Sequence, residues 1–147
     1  ATDLCSNSLS QNLVYRSCVN GFIDNHVQSL AEKYRRKRDL MLSCMQKYFP
    51  PEVSFTHPGG GFFVWVTLPE GMSARECLLK AVERKVAFVD GKGFFVNGKE
   101  QNTARFSFSE ASLDEIRLGI ERVGQVFSAE VNRLGLNQPT LKTGSGF

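Results

Sequence analysis

The chain has 147 residues, of which 41% are hydrophobic and 22% charged, a composition that suits one globular domain and excludes a disordered chain. Its formal net charge of +3 is too small to predict nucleic acid or an acidic membrane surface as a partner. The apolar runs are short and broken by glycine, proline or charge, which excludes a transmembrane helix, and no signal peptide is visible at the N-terminus.

The first elements in chain order are two helices. Residues 9–19 fit a short helix that Gly21 ends, since glycine often follows the last helical turn. A longer helix is predicted over 24–48, with Asp24 as its N-cap and Pro50-Pro51 after its end. Its apolar residues recur every three or four positions and form one stripe. They are Ile23, Val27, Leu30, Tyr34, Met41, Met45 and Tyr48.

The basic run "KYRRKR", residues 33–38, lies on this second helix. It could be a nucleic-acid or lipid patch. We favour a solvated helix face whose arginine stems cover apolar neighbours, because the run is short and the total charge is low.

Strands and helices alternate in the rest of the chain. "EVSFTH" and "GGGFFVWVTLP" are predicted strands joined by the turn "HPGG". Residues 73–84 form a helix whose capping box pairs Ser73 with Glu76, and whose apolar members are Ala74, Leu78, Ala81 and Val82. "VAFVD" is a short strand, "GKGFFVNGKEQN" a glycine-rich connection, and "TARFSFS" the next strand.

A long last helix opens with a second capping box, from Ser112 to Glu115. Its predicted buried residues are Ile116, Ile120, Val123, Phe127, Val131 and Leu134. The order is helix, helix, strand, strand, helix, strand, strand, helix. It predicts the α/β class, as an α+β domain with a small, mostly antiparallel sheet covered by helices.

The cysteines and histidines do not have the spacing of a metal site. The four cysteines are Cys5, Cys18, Cys44 and Cys77. They include no Cys-x-x-Cys pair, and the two histidines, His26 and His57, are far from i, i+4 spacing, which argues against zinc. Cysteines scattered on apolar stripes usually behave as small buried hydrophobes, and we expect a reduced, cytoplasmic protein.

Two glycine-rich stretches have other interpretations. "GGGFFV" and "DGKGFF" complete neither the dinucleotide-binding pattern nor a P-loop, so turns are the better interpretation. "KGFFVN", residues 92–97, is similar to the aromatic strand on which RNA-recognition domains stack bases. It has no small residue between its two rings, and Asn97-Gly98 interrupts the strand, so we do not favour RNA.

Arg105 stands in the middle of the predicted strand "TARFSFS". Because strand side chains alternate faces, Ala104, Phe106 and Phe108 point to one side while Thr103, Arg105, Ser107 and Ser109 point to the other. The polar side either meets water or lines a cleft. An arginine on a rigid strand could hold a carboxylate there through two parallel charge-assisted hydrogen bonds.

The assembled stretches resemble the C-terminal portion of fold-type-I aminotransferases, enzymes that depend on pyridoxal 5'-phosphate, of the 2-aminoadipate and kynurenine type. The resemblance runs in the family's order from residue 1 to about residue 134. The matching stretches are "TDLCSNSLSQ", "HPGGGFFVWVTLPEGMSA", "KAVERKVAFVDGKGFFVNG" and "NTARFSFSEASLDEIRLGIERV".

This resemblance implies roles for two residues. Arg105 occupies the position of the arginine that binds the substrate α-carboxylate, and Phe63 that of the aromatic residue that approaches cofactor and substrate. The family binds pyridoxal phosphate mainly through a large N-terminal domain, which carries the Schiff-base lysine. No motif of that domain occurs here, and Lys92 and Lys99 do not match it. We therefore expect no catalytic residue in this chain.

The resemblance also implies an organisation. Residues 1–22 are expected to pack with the large domain, 23–135 to form the small domain, and 136–147 to form a flexible tail. The complete enzyme is expected to be a homodimer acting on amino acids and 2-oxo acids, with 2-aminoadipate, kynurenine, aromatic or branched-chain donors as alternatives. The isolated chain is expected to be inactive. The alternatives are a stand-alone module that binds RNA or protein, and the effector domain of an aminotransferase-like transcription regulator.

Overall fold

The computed structural model describes residues 7–96 and 101–136. Its elements follow the predicted order, with one short 3-10 helix added. The helices are α1 (Ser8–Val19), α2 (Phe22–Tyr48), α3 (Ala74–Glu83) and α4 (Leu113–Arg133). The strands are β1 (Ser54–Phe55), β2 (Phe63–Thr67), β3 (Val89–Asp90) and β4 (Thr103–Ser107), and the 3-10 helix is Gly91–Phe94. The predicted fold class is confirmed.

The chain divides into two compact units, Ala1–Arg36 and Lys37–Phe147. The first contains α1 and the beginning of α2. Asn7 caps α1 by accepting from the amide of Leu9 at 2.8 Å, and none of the residues of α1 is buried. The domain boundaries expected after residues 22 and 135 stay a prediction, and the tail beyond residue 136 lies outside the described residues.

The start of α2 differs from the prediction. Gly21 adopts a φ of +67°, a left-handed conformation that glycine enters at little cost, and α2 begins directly after it at Phe22. Asp24 is therefore not the N-cap but lies in the first turn, where its negative charge still faces the positive end of the helix dipole. The predicted apolar stripe is buried only at Met41 and Met45, joined by Cys44, whereas Ile23 and Val27 are exposed.

The sheet is antiparallel throughout, with the strand order β1-β2-β4-β3. Because β4 lies between β2 and β3, Arg105 pairs with Trp65 on one side and with Val89 on the other. Phe63 pairs with Ser107 at the end of the sheet where β2 begins and β4 ends. Residues opposite one another in register share a face, so these five side chains lie on the same side of the sheet.

The other side of the sheet faces the hydrophobic core. Phe106 of β4 stacks on Phe88 with ring centroids 4.9 Å apart, and Phe127 of α4 meets Phe49 at 5.0 Å. Gly124 lets α4 approach the end of α2, since a Cβ there would lie 2.4 Å from the carbonyl oxygen of Tyr48. α4 and the end of α2 therefore lie on this side of the sheet.

The caps of α3 and α4 agree with the sequence analysis except for one bond of the capping box at Ser73. Both bonds of the capping box at Ser112 form. At Ser73 the structure records one of the two bonds, in which the Ser73 side chain accepts from the amide of Glu76. The Glu76 carboxylate lies 4.0 Å from Arg133. Of the apolar residues named for α3, Val82 is 54% exposed, and Cys77 is buried beside Ala74 and Ala81.

Burial separates the cysteines that the structure describes. Cys44 and Cys77 are buried as expected, and burial raises the pKa of the Cys77 thiol to about 11, which makes it a poor nucleophile near neutral pH. The expectation of burial is wrong for Cys18, which is exposed on α1. Cys5 lies outside the described residues.

Candidate functional site

Arg105 lies near the centre of the sheet face opposite the hydrophobic core. It is the third of the five residues of β4, and its half-buried side chain stands between β2 and β3. Ser107 is on the same face, and its hydroxyl lies 3.0 Å from that of Ser109. On this face β4 therefore carries one cation and the hydroxyl group of Ser107, and a second hydroxyl group follows just after the end of the strand.

Two aromatic rings hold the Arg105 guanidinium. Its central carbon, Cζ, lies 4.1 Å from the centroid of the Phe63 ring and 4.6 Å from that of the Phe94 ring, within the range of cation–π attraction. Phe63 belongs to β2 and Phe94 to the 3-10 helix after β3, so the rings come from the two neighbours of β4. The sequence pointed to Phe63 and missed Phe94; the one signal for Phe94 was a phenylalanine pair directly after a strand.

Trp65 lies on the same face as Arg105, and its ring forms an aromatic wall with Phe94 and Phe95. It pairs with Arg105 across the sheet, and its ring meets Phe94 edge-on at 5.5 Å and Phe95 at 6.0 Å. Since Phe94 ends the 3-10 helix and Phe95 directly follows it, the position of this segment on the sheet sets the shape of the site.

Gly91 determines the position of the 3-10 helix on the sheet through a close contact with Thr103. A Cβ on Gly91 would lie 2.0 Å from the hydroxyl oxygen of Thr103, so only glycine lets the 3-10 helix approach β4. Thr103 was expected on the polar side with Arg105. It shares that face but is buried, with 3% of its surface exposed, because Gly91 covers it.

The Arg105 guanidinium has no protein counter-ion among residues 7–96 and 101–136. No carboxylate forms a salt bridge with it there, and its Nε atom is buried without a hydrogen-bond partner. Arg117 and Arg133, by contrast, each pair with a carboxylate of their own helix. Buried polar atoms are nearly always hydrogen-bonded, so this arginine nitrogen is one of few exceptions among the described residues.

Other candidates from the sequence lie elsewhere. Lys92 is exposed, and Lys99 falls outside the described residues. The ring of His57 packs 5.1 Å from that of Phe55, which fits a structural role. The RNA-stacking strand is not formed, since Gly91–Phe94 is a 3-10 helix. Within the described residues no group of three or more potential ligands could hold a metal, and no helix is long and apolar enough to cross a membrane.

The chain is similar to proteins of known sequence and structure. No family model matches the chain. The aromatic-amino-acid aminotransferase 1 of Thermococcus litoralis is 37% identical over 133 residues, which are 90% of this chain and 32% of that protein. The multiple substrate aminotransferase of Thermococcus profundus superimposes with a TM-score of 0.82 at 37% identity, over 89% of this chain and 32% of that one. The chain belongs to the aminotransferase family.

A second solved structure that is similar to this chain was determined with a bound ligand. The α-aminoadipate aminotransferase LysN of Thermus thermophilus, complexed with N-(5'-phosphopyridoxyl)-L-leucine, superimposes with a TM-score of 0.76 at 36% identity. The match covers 89% of this chain and 33% of LysN. The chain spans about a third of the length of the curated relatives it matches, as expected for a C-terminal domain of such proteins.

More distant relatives carry a different name. The HTH-type transcriptional regulator YisV of Bacillus subtilis, itself uncharacterised, is 26% identical over 124 residues, which are 84% of this chain and 25% of that protein. Stretches similar to this chain therefore occur in proteins named as aminotransferases and in proteins named as regulators.

Proposed function

We propose that this chain is the C-terminal part of a pyridoxal-phosphate-dependent aminotransferase, in which Arg105 binds the α-carboxylate of the amino acid and of the 2-oxo acid. One observation carries the proposal. The guanidinium of Arg105 is held between rings, and its Nε is buried without a partner in the described residues. A carboxylate is the planar acceptor that an arginine fork matches in two parallel hydrogen bonds.

The surroundings of Arg105 favour a bound anion over an internal ion pair. The ring faces of Phe63 and Phe94 attract the cation without supplying a negative charge, so its charge stays available. The same rings restrict the guanidinium before the ligand arrives, which reduces the entropy lost on binding. Arg105 thereby orients a substrate by its carboxylate, and a fixed orientation lowers the barrier of the following chemical step.

The residues of this face fit substrate binding and not attachment of the cofactor. Side chains that share the face with Arg105 in the described residues are aromatic, aliphatic or hydroxyl-bearing, and none is a lysine. Pyridoxal phosphate, when bound in the complete protein, supplies the electron sink for amino-group transfer. We assign its covalent attachment to the part of the relatives that this chain does not cover, and we expect the isolated chain to be inactive.

The proposal includes a covering partner for apolar side chains that remain exposed. On α1 the exposed residues are Leu9, Leu13, Val14, Tyr15 and Val19. Exposed apolar stripes mark interaction surfaces. The relatives are about three times as long as this chain, so we propose that a large domain of the same polypeptide covers these residues. We expect the complete enzyme to be a cytoplasmic homodimer.

The experiment measures transamination by the complete protein with Arg105→Ala and Arg105→Lys. Loss of a charge-assisted bidentate contact should lower kcat/KM for the amino acid by about 100-fold or more in Arg105→Ala. Arg105→Lys should recover only part of the loss, because an ammonium group lacks the planar fork. The Kd for pyridoxal phosphate should stay unchanged in both variants.

Arg36→Ala is the matched control, since Arg36 pairs with Glu32 on an exposed helix face with 71% of its side chain accessible. It should leave kcat/KM at the wild-type value. An Arg105→Ala enzyme with wild-type kcat/KM would remove Arg105 from the binding site.

A second candidate function is the effector domain of a transcription regulator, which the 26% identity with YisV favours. The residues encoded before Ala1 distinguish the two functions. A cofactor domain alone supports the enzyme, while a helix-turn-helix segment ahead of it supports the regulator. A stand-alone module that binds RNA or protein has less support, since the curated relatives are about three times as long as this chain.

A further inference from the structure

Two consecutive residues of α2 contact the loops that flank the Arg105 site. Lys37 donates from Nζ to the carbonyl oxygen of Ser109 at 2.8 Å, and more weakly to that of Glu110 at 3.4 Å. Arg38 donates from Nη1 to the carbonyl oxygen of Gly59 at 3.1 Å. The basic run is therefore not simply a solvated helix face, as the sequence suggested, because two of its cations bond to backbone.

Both loops leave the sheet at the same end. β2 begins at Phe63, after the glycine-rich loop, and β4 ends at Ser107, before the second loop. The amide of Phe108 donates to the carbonyl oxygen of Phe62 at 3.1 Å, which extends the ladder one pair beyond the Phe63–Ser107 register. A helix that fixes the loops on both sides of this pair fixes the spacing of the two strands that carry Phe63 and Arg105.

The glycine-rich loop, residues 59–61, has little to hold it in place apart from its hydrogen bond with Arg38. Gly59, Gly60 and Gly61 are consecutive, and a Cβ at any of them would meet nothing within 4 Å, so packing does not restrain them. Glycine also carries the largest backbone freedom of any residue. Asp39 holds Arg38 in place by accepting from Nε at 2.8 Å and from Nη2 at 2.7 Å, which leaves Nη1 for the loop carbonyl.

We propose that Lys37 and Arg38 are positioning residues for carboxylate binding: by holding the two loops at this end of the sheet, they keep the Phe63 ring against the Arg105 guanidinium. This inference rests on the proposed function of Arg105. Neither residue touches the substrate. Their effect reaches the anion through the 4.1 Å contact between Phe63 and Arg105.

The test uses the complete protein with Lys37→Met and Arg38→Met, each with two readouts. KM for the amino acid should rise about tenfold, since a charged donor to the backbone is lost, while kcat changes less than about threefold. Peptide-resolved hydrogen exchange should become faster near residues 107–111 in Lys37→Met and near residues 57–62 in Arg38→Met. Lys37→Arg, which keeps a charged donor, should restore most of the affinity.

The matched control is Arg35→Met, which removes the same charge from an exposed position two residues before Lys37 on the same helix. It should leave KM and hydrogen exchange unchanged. An equal rise in KM in this control would mean that total charge, and not the loop contacts, sets the affinity, and would overturn the inference.

A double-mutant cycle separates this inference from the proposed function. If Lys37 acts through Arg105, Lys37→Met should weaken amino-acid binding in the wild type and add nothing in the Arg105→Ala background. Additive effects would show that Lys37 acts only on general structure, and would sink the positioning role. If Arg105→Ala alone left binding unchanged, the proposed function would fail and this inference with it. If Arg105→Ala weakened binding but both methionine variants matched the wild type, only this inference would be wrong.

Discussion

Phe94 offers the sharpest test of the aromatic site, because the sequence analysis assigned no role to this residue. We consider Phe94→Leu, which removes the ring and keeps an apolar side chain of similar size. The residue is 49% exposed, so its loss should affect the free energy of unfolding little, while the contact at 4.6 Å between Arg105 Cζ and the ring is abolished.

The expected magnitude follows from the exposure of that contact. A cation–π contact contributes about 0.5–1 kcal/mol at an exposed site and about 2 kcal/mol when desolvated. Arg105 is half-buried and keeps the Phe63 ring, so we take about 1 kcal/mol, close to a fivefold change in an equilibrium constant. Phe94→Leu should therefore raise KM for the amino acid about fivefold, and Phe94→Tyr, which keeps the ring, should behave as the wild type.

The assay is steady-state transamination by the complete protein, with the thermal unfolding midpoint measured on the same samples. Phe95→Leu is the matched control, because Phe95 belongs to the same segment and its ring packs on Trp65 at 6.0 Å. A wild-type KM in Phe94→Leu would refute the argument. An equal loss in Phe95→Leu would also refute it, since the effect would then come from the aromatic wall in general and not from contact with the guanidinium.

Two further predictions concern stability. The pKa of the buried Glu130 carboxyl lies below its usual value, mainly because the side chain of Arg133 donates hydrogen bonds to it. The ionised carboxylate therefore stabilises the folded state at pH values above the unfolded-state pKa. This contribution is lost as the pH falls through the folded-state pKa. Glu130→Gln should lower the free energy of unfolding by about 1–3 kcal/mol at pH 7. Urea titrations of wild type and variant should show a smaller difference between them at pH 3 than at pH 7. An equal difference at both pH values would contradict the role given to the Glu130 carboxylate. Gly124→Ala should cost about 3 kcal/mol by collision with the Tyr48 carbonyl. Gly119→Ala, whose Cβ meets a side chain only at 3.7 Å, should cost nothing by the same titration, and equal losses would contradict the close-approach argument.

Helices with both a cap and a buried stripe could be predicted well from the sequence. For α4, the capping box at Ser112 and the residues Ile116, Ile120 and Val123 each give local evidence, and the structure confirms all of them. The start of α2 was harder to predict, because Asp24 is a good capping residue wherever it stands, and only the left-handed Gly21 shows where the helix begins.

Periodicity shows which side of a helix is apolar, but not whether anything covers it. Val27 and Met41 belong to one predicted stripe of α2, yet Val27 is 56% exposed and Met41 is 3% exposed. The difference lies in what packs against each turn of the helix. That property belongs to the tertiary fold, and the spacing of apolar residues in the sequence does not encode it.

The site was predictable where it lies on a strand and unpredictable where it lies on a loop. Alternation placed Arg105 on the face opposite Phe106, because a strand has a fixed period of two residues. Phe94 lies in a segment with no period, and its position over the sheet depends on the fit of Gly91 against Thr103, a contact between residues 12 positions apart. Local patterns do not encode such a contact.

The contrast between Glu130 and Arg105 gives the physical reason to expect an external ligand. Both are charged groups removed at least in part from water, where an unpaired charge is costly. The carboxylate of Glu130 is neutralised by Lys80 and Arg133 from two helices, which is how a fold satisfies a charge that it needs for its own packing. The Arg105 guanidinium has aromatic faces instead, which stabilise a cation without accepting its hydrogen bonds. A partly buried cation whose acceptor is absent from the described chain fits an anion that arrives and leaves, and a substrate carboxylate does both.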